Sequence, residues 1–155
     1  DSAIDALLAM RATEGRALEQ DLRARLDQVG TITEQIAALA ADQPALFRDR
    51  VERRLRELLG GIAVDPSLVL QEAAAVAGRA DVTEELTRLR AHVAHGHSLF
   101  GQDGPVGRPL EFLVQELGRE ANTVGSKADD ARLSALVVAL KGEIEKIREQ
   151  VANVE

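Results

Sequence analysis

Apolar residues recur at helical spacing along almost the whole chain, and no stretch alternates apolar with polar. From about Ser2 to Ala41, Leu18, Leu22, Leu26, Val29, Ile32, Ile36 and Leu39 form one stripe at intervals of three and four. Gly15 and Gly30 interrupt it and suggest a close approach or a kink. Asp42-Gln43-Pro44 is expected to break this helix, with a second from about Pro44 to Leu59 ended by Gly60-Gly61. Residues 1–61 are thus predicted as a long helical hairpin, and 62–155 as a helical C-terminal domain. Asp65-Pro66 opens a helix through Ala77, with an interruption at Gly78. Asp81, followed three residues later by Glu84, is a capping-box-like start for the next one. A Gly- and Pro-rich loop from Gly101 to Gly107 precedes a helix from near Pro109 to a break at Gly125-Ser126. From Asp129 on, Leu133, Val137, Leu140, Ile144, Ile147, Val151 and Val154 alternate four and three apart. That is a coiled-coil seam, closed within the chain or between subunits. The fold class is all-α, with long helices packed as antiparallel hairpins and a heptad-patterned C-terminal helix.

Two of these helices carry polar groups in an order that packing does not require. In the Pro109 helix, Leu110, Leu113, Leu117 and Ala121 form the apolar stripe. Glu111, Gln115, Arg119 and Asn122 form a second stripe, with Glu116, Glu120 and Thr123 beside it and Ser126 and Lys127 following. In the Asp81 helix, Val82, Leu86, Leu89 and Val93 point inward, while Asp81, Glu85, Arg88 and His92 repeat the same spacing one residue earlier. Charge that borders the core on two neighbouring helices suggests a shared polar crevice.

Composition narrows the class. Aromatic residues are 2% of the chain, with no Trp or Tyr, so the core is aliphatic. The absence of Cys excludes disulfides and thiolate metal sites and suits a reducing compartment, so a cytoplasmic location is expected. No apolar run approaches the roughly 20 residues that span a bilayer. The formal net charge of −7 argues against simple electrostatic capture of nucleic acid. Arg48, Arg50, Arg53, Arg54 and Arg56 nevertheless crowd one segment. They form either a solvated face paired to Asp49, Glu52 and Glu57, or a contact surface for RNA backbone.

Four blocks carry a family resemblance: LLAMRATEGRAL (7–18), DVTEELTRLRAH (81–92), GRPLEFLVQELGREANTVGSKA (107–128) and KGEIEKIREQVANVE (141–155). In this order they resemble the C-terminal half of the YicC-like family of bacterial endoribonucleases. The ending REQVANVE resembles that family's own C-terminus, whereas the chain opens at Asp1 without Met and the family's N-terminal domain is absent. It is therefore expected to be a C-terminal portion. The resemblance implies cleavage of single-stranded RNA by an oligomer, since related proteins form hexameric rings or cages. Residues 1–61 would then serve as an assembly or RNA-channel arm, and Arg11, Glu14 and Gly15 also match the family.

Under that resemblance the crevice residues take roles. His92 is the candidate general acid or base. Asp81, Glu85, Glu116 and Glu120 are candidate ligands for Mg²⁺ or Mn²⁺, or carboxylates that orient the imidazole. Arg88 and Arg119 would hold phosphate, and Asn122 a ribose hydroxyl or base edge. Lys127 and Arg11 complete the candidate RNA contacts. The bland alternatives are ion pairs along and between helices, with Ser126 capping the last helix. His92, His95 and His97 lie within six residues, but only His92 falls in a matching block, and a zinc site needs further ligands. A non-catalytic oligomerisation scaffold, or an RNA-binding module without turnover, are the rival functions.

Overall fold

In the computed structural model, which describes residues 2–60, 65–102 and 104–154, every regular element is a helix. These are α1 (Ser2–Leu58), α2 (Pro66–Ala80), α3 (Thr83–Leu99), α4 (Gly107–Lys127) and α5 (Ala131–Val151). The all-α class follows from the spacing, but the expected hairpin over 1–61 does not form. α1 is a single helix of 57 residues with Pro44 inside it. A helical proline removes one backbone hydrogen bond and crowds the preceding turn, at a cost of about 3 kcal/mol. Here Phe47 is buried one turn beyond Gln43, and α2 packs along this part of α1, so apolar burial offsets that cost. α1 ends at Leu58, with Gly60 following at a left-handed φ of 58°; Gly61 lies outside the described residues.

Helix ends depart from expectation in instructive ways. Asp65 caps α2 by accepting from the Ser67 amide at 2.8 Å, and α2 runs past Gly78 to Ala80. The capping box at α3 is replaced by a local turn. Asp81 Oδ1 accepts from the Thr83 amide at 2.9 Å and its hydroxyl at 2.6 Å, while Glu84 pairs forward with Arg88. α4 does not break at Gly125-Ser126. A Cβ on Gly125 would lie 3.1 Å from Val137 Cγ1, so this glycine permits close approach of α5. Ser126 bonds back to the Thr123 carbonyl, and the cap of α5 is Asp130, accepting from the Arg132 and Leu133 amides at 2.7 and 3.3 Å.

One aliphatic core joins α1, α3, α4 and α5. α1 supplies Leu22, Leu26, Val29, Ile32 and Ile36, with Leu18 and Leu39 partly buried. The heptad positions Leu133 to Val151 are all buried inside the chain, so the seam is used intramolecularly. Residues 2–17 of α1, by contrast, are exposed throughout, Ile4, Leu7, Leu8 and Met10 among them.

The tightest approach lies at a glycine whose role the sequence does not advertise. Gly15 has open space around it and Gly30 makes an ordinary contact, so neither marks a close crossing. A Cβ on Gly96, however, would lie 2.8 Å from both Leu113 Cδ2 and Leu26 Cδ1. Alanine there would gain about 1 kcal/mol in helix propensity and lose a similar amount to displaced leucines. Gly96→Val adds two more methyl groups at the three-helix contact and is expected to cost about 2 kcal/mol in a urea titration.

Candidate functional site

The two polar stripes expected to share a crevice face each other along the seam between α3 and α4. Asp81, Glu85, Arg88 and His92 run along one wall, and Glu116, Glu120, Thr123 and Lys127 along the other, both at intervals of four, three and four. Residues of rising number on α3 meet residues of falling number on α4. Glu85 Oε1 accepts from Lys127 Nζ at 2.8 Å, and Arg88 Nη1 lies 3.4 Å from Glu120 Oε1. Beyond them His92, Glu116 and Glu120 converge, one ligand atom of each lying within 4.8 Å of the others. Leu86, Leu89, Leu117 and Ala121 are buried in the floor. The amphipathic pattern that packs these helices therefore also aims the polar residues next to it at one another.

Three environments follow along the crevice. At one end, Lys127 bonds Glu85 and also donates to the Asp81 carbonyl at 2.8 Å, tying the end of α4 to the start of α3. Burial pushes the Glu85 carboxyl up, but the Lys127 hydrogen bond, the Glu85 backbone amide and the charges of Lys127 and Arg88 together outweigh it, leaving the group below its ordinary value. In the middle, Arg88 bridges the exposed Glu84 and the buried Glu120, and these bonds and charges raise its pKa further. At the far end, His92 and Glu116 are half-buried and Glu120 is 3% exposed.

The donor set at the far end fits a divalent cation. Metal–ligand distances near 2.1 Å place ligand atoms about 3 Å apart in adjacent positions and about 4.2 Å in opposite ones. A spread within 4.8 Å needs only small side-chain rotations to reach that range. The two carboxylates suit Mg²⁺ or Mn²⁺ by themselves, and the imidazole beside them can serve either as a third ligand, favouring Mn²⁺, or as a proton carrier.

Not all expected site residues meet here. Asp81 and Glu85 are not in the cluster: the Asp81 carboxylate is taken by Thr83, whose bonds hold it below its ordinary pKa, and Glu85 by Lys127. Glu85 precedes His92 by seven residues, about 10 Å along the helix. Arg119 is exposed and reaches Glu116 at 3.5 Å, so its partner is on its own helix. Asn122 is exposed. Arg11 and Glu14 line a different groove, with Phe100, Val106 and Val154. The histidines diverge: His95 is exposed, and His97 Nε2 lies 3.0 Å from Asp27 Oδ1. In the basic segment, Arg48, Arg54 and Arg56 pair with Asp49, Glu57 and Glu52, and Arg50 reaches Asp129. The Lys127–Glu85 pairing was not expected; its only signal is that Lys127 continues the Glu116–Glu120–Thr123 spacing.

These features define an all-helical domain in which acidic, basic and imidazole side chains from two helices meet along one seam. The chain belongs to the YicC-like endoribonuclease family: a family model described as "Endoribonuclease YicC-like, C-terminal" matches residues 36–155. Over 156 residues it is 35% identical to a protein of Clostridioides difficile named "Probable endoribonuclease YicC". It is 38% identical over 156 residues to one of the same name from Haemophilus influenzae. Each comparison takes in 100% of this chain and 53% of the relative, so the chain spans about half the length of the curated relatives it matches. Among the described residues, no helix is long and apolar enough to cross a membrane.

Proposed function

We propose that this chain carries the cleavage site of an endoribonuclease acting on single-stranded RNA in the cytoplasm. The observation that supports this reading is the convergence of His92, Glu116 and Glu120 from two helices, with Arg88 and Arg119 at the rim. Glu116 and Glu120 would hold Mg²⁺ or Mn²⁺, leaving positions for water and a substrate phosphate. When bound, such an ion polarises the phosphoryl oxygens. His92 handles the proton. Its neutral imidazole accepts it from the ribose 2′-hydroxyl as that oxygen attacks phosphorus, and the imidazolium returns it to the departing 5′ oxygen. Arg88 and Arg119 balance charge on the phosphate.

Other residues serve at more distance. Arg119 and Asn122 lie three residues apart and both are exposed, so a strand along that side of α4 can touch both. Arg11, in the other groove, would contact RNA away from the cleaved bond. Lys127 is committed to Glu85 and shapes the crevice. The working form is a homo-oligomer, hexameric by resemblance. With the α5 seam used internally, the exposed run Ile4, Leu7, Leu8 and Met10 is an apolar surface that suits subunit contact.

The test is cleavage of an end-labelled single-stranded RNA by this chain and, alongside, by the Haemophilus influenzae relative. We expect internal cuts ending in 2′,3′-cyclic phosphate with Mn²⁺ or Mg²⁺, none in EDTA, and none on 2′-O-methyl RNA. A relative that cuts beside an inert chain would mean that the site needs sequence outside this half. Intact RNA in every lane would overturn the nuclease reading and favour the scaffold, in which Arg88 and Lys127 only join helices.

A further inference from the structure

We propose that Arg88 is a tethered stand-in for the divalent cation, holding Glu120 until an RNA phosphate draws the guanidinium away. The inference rests on the cation reading of the crevice given above. A buried carboxylate requires a counter-charge. Among the described residues, Arg88 is the basic side chain that reaches Glu120, at 3.4 Å. That contact is long beside the 2.7–2.9 Å of a strong guanidinium–carboxylate bond. The second arm of the same guanidinium holds Glu84, whose side chain is 72% exposed. Arg88 is itself 53% exposed, whereas the Glu120 side chain is 4% exposed. One end of the bridge is therefore fixed and buried, and the other is open to solvent on the side from which a phosphate would arrive.

The consequence is a coupling. A phosphate competes with Glu120 for Arg88 and offers two oxygens to the same planar fork. Once the guanidinium turns outward, Glu120 lacks a positive partner and its affinity for a cation rises. By reciprocity, a cation on Glu120 frees Arg88 and strengthens phosphate binding by the same factor. The resting crevice thus binds cation weakly, and becomes a good cation site when RNA is present.

Coupling could also arise without Arg88, if the phosphate coordinates the ion directly. The experiment separates the two. Mn²⁺ binding is titrated by electron paramagnetic resonance of the free ion, with and without a short 2′-O-methyl oligoribonucleotide whose own Mn²⁺ uptake is subtracted. The expected result for the parent chain is at least about fivefold tighter Mn²⁺ binding with the oligonucleotide. Arg88→Met should bind Mn²⁺ about as tightly alone as the parent does with the oligonucleotide, which should then add little. Glu84→Gln should act in the opposite sense, because Arg88 keeps only Glu120 and settles there, so that Mn²⁺ binds more weakly than in the parent. In the Arg88→Met background, Glu84→Gln should have no further effect.

Equal Mn²⁺ affinity in parent and Arg88→Met, with binding lost in Glu120→Gln, would overturn the gate while leaving the cation site intact. So would coupling that survives Arg88→Met, or a Glu84→Gln effect of the same size with and without Arg88. If Arg88→Met fails to fold by circular dichroism, Glu84→Gln decides: Mn²⁺ binding as tight as in the parent overturns the gate. No saturable Mn²⁺ binding in any folded form would overturn both the gate and the cation reading on which it rests.

Discussion

His92→Ala is expected to cut RNA about 10²–10⁴-fold more slowly than the parent chain, the usual contribution of a positioned acid–base group. Its melting temperature should hardly change. His92 is half-buried at the lip of the crevice and outside the aliphatic core, and alanine is the better helix former. The stability change should therefore stay within about 0.5 kcal/mol. The combination is diagnostic, because a structural crevice makes the reverse prediction: loss of stability with no separate effect on turnover. RNA cleavage at the parent rate by a well-folded His92→Ala chain would remove His92 from the proton transfer.

The second large effect is expected at the opposite end of the crevice. Lys127→Met should cost about 3 kcal/mol at pH 7, because it leaves Glu85 buried without its cation. The second Glu85 oxygen is already buried with no hydrogen-bond partner among the described residues, and what remains is its own backbone amide and the charge of Arg88. The pH dependence follows from the direction of the shift. In the parent, the folded Glu85 carboxyl lies below its unfolded value. Its stabilisation is thus fully present above roughly pH 4.3, and is lost as pH falls through the lower folded value. In Lys127→Met, burial stays while the Lys127 hydrogen bond and charge are gone, so the carboxyl moves up from its value in the parent and protonation relieves more of the penalty as pH falls. The gap between the two proteins should be wide at pH 7 and much narrower near pH 4 in urea titrations. An equal gap at both values would mean that Lys127 contributes only the packing of its aliphatic stem.

What could be read from the sequence was what repeats. The stripe Leu22 to Ile36 and the heptads of α5 are long and regular, so many residues vote for each helix and for its buried face. The two polar stripes were legible for the same reason, because they copy the spacing of the apolar residues beside them. Single residues misled where a local rule competes with packing. Pro44 signals a break, yet the burial of Phe47 and the packing of α2 beside it keep α1 continuous. Gly125 looked like an end and Gly96 like freedom for His97 to swing, because a glycine's role depends on what another helix brings near it. Asp81 and Glu85 looked equivalent to Glu116 and Glu120 as ligands. What distinguishes them is how closely they are held: Thr83 and Lys127 bond Asp81 and Glu85 at 2.6 and 2.8 Å, whereas Arg119 and Arg88 stand 3.5 and 3.4 Å from Glu116 and Glu120, and no spacing rule foretells that difference.

The long first helix has a consequence of its own. At 57 residues it extends about 85 Å, and residues 2–17 stand clear of the core that grips it further along. A helical rod carries an angular phase. Adding one residue within this segment would turn everything before it by about 100° and advance it 1.5 Å, while the buried stretch stays in register. Whatever the tip meets is thus set like the hand of a dial by the residue count between tip and grip. Insertions of three or four residues nearly restore the bearing, whereas those of one or two point Ile4 and Leu8 elsewhere.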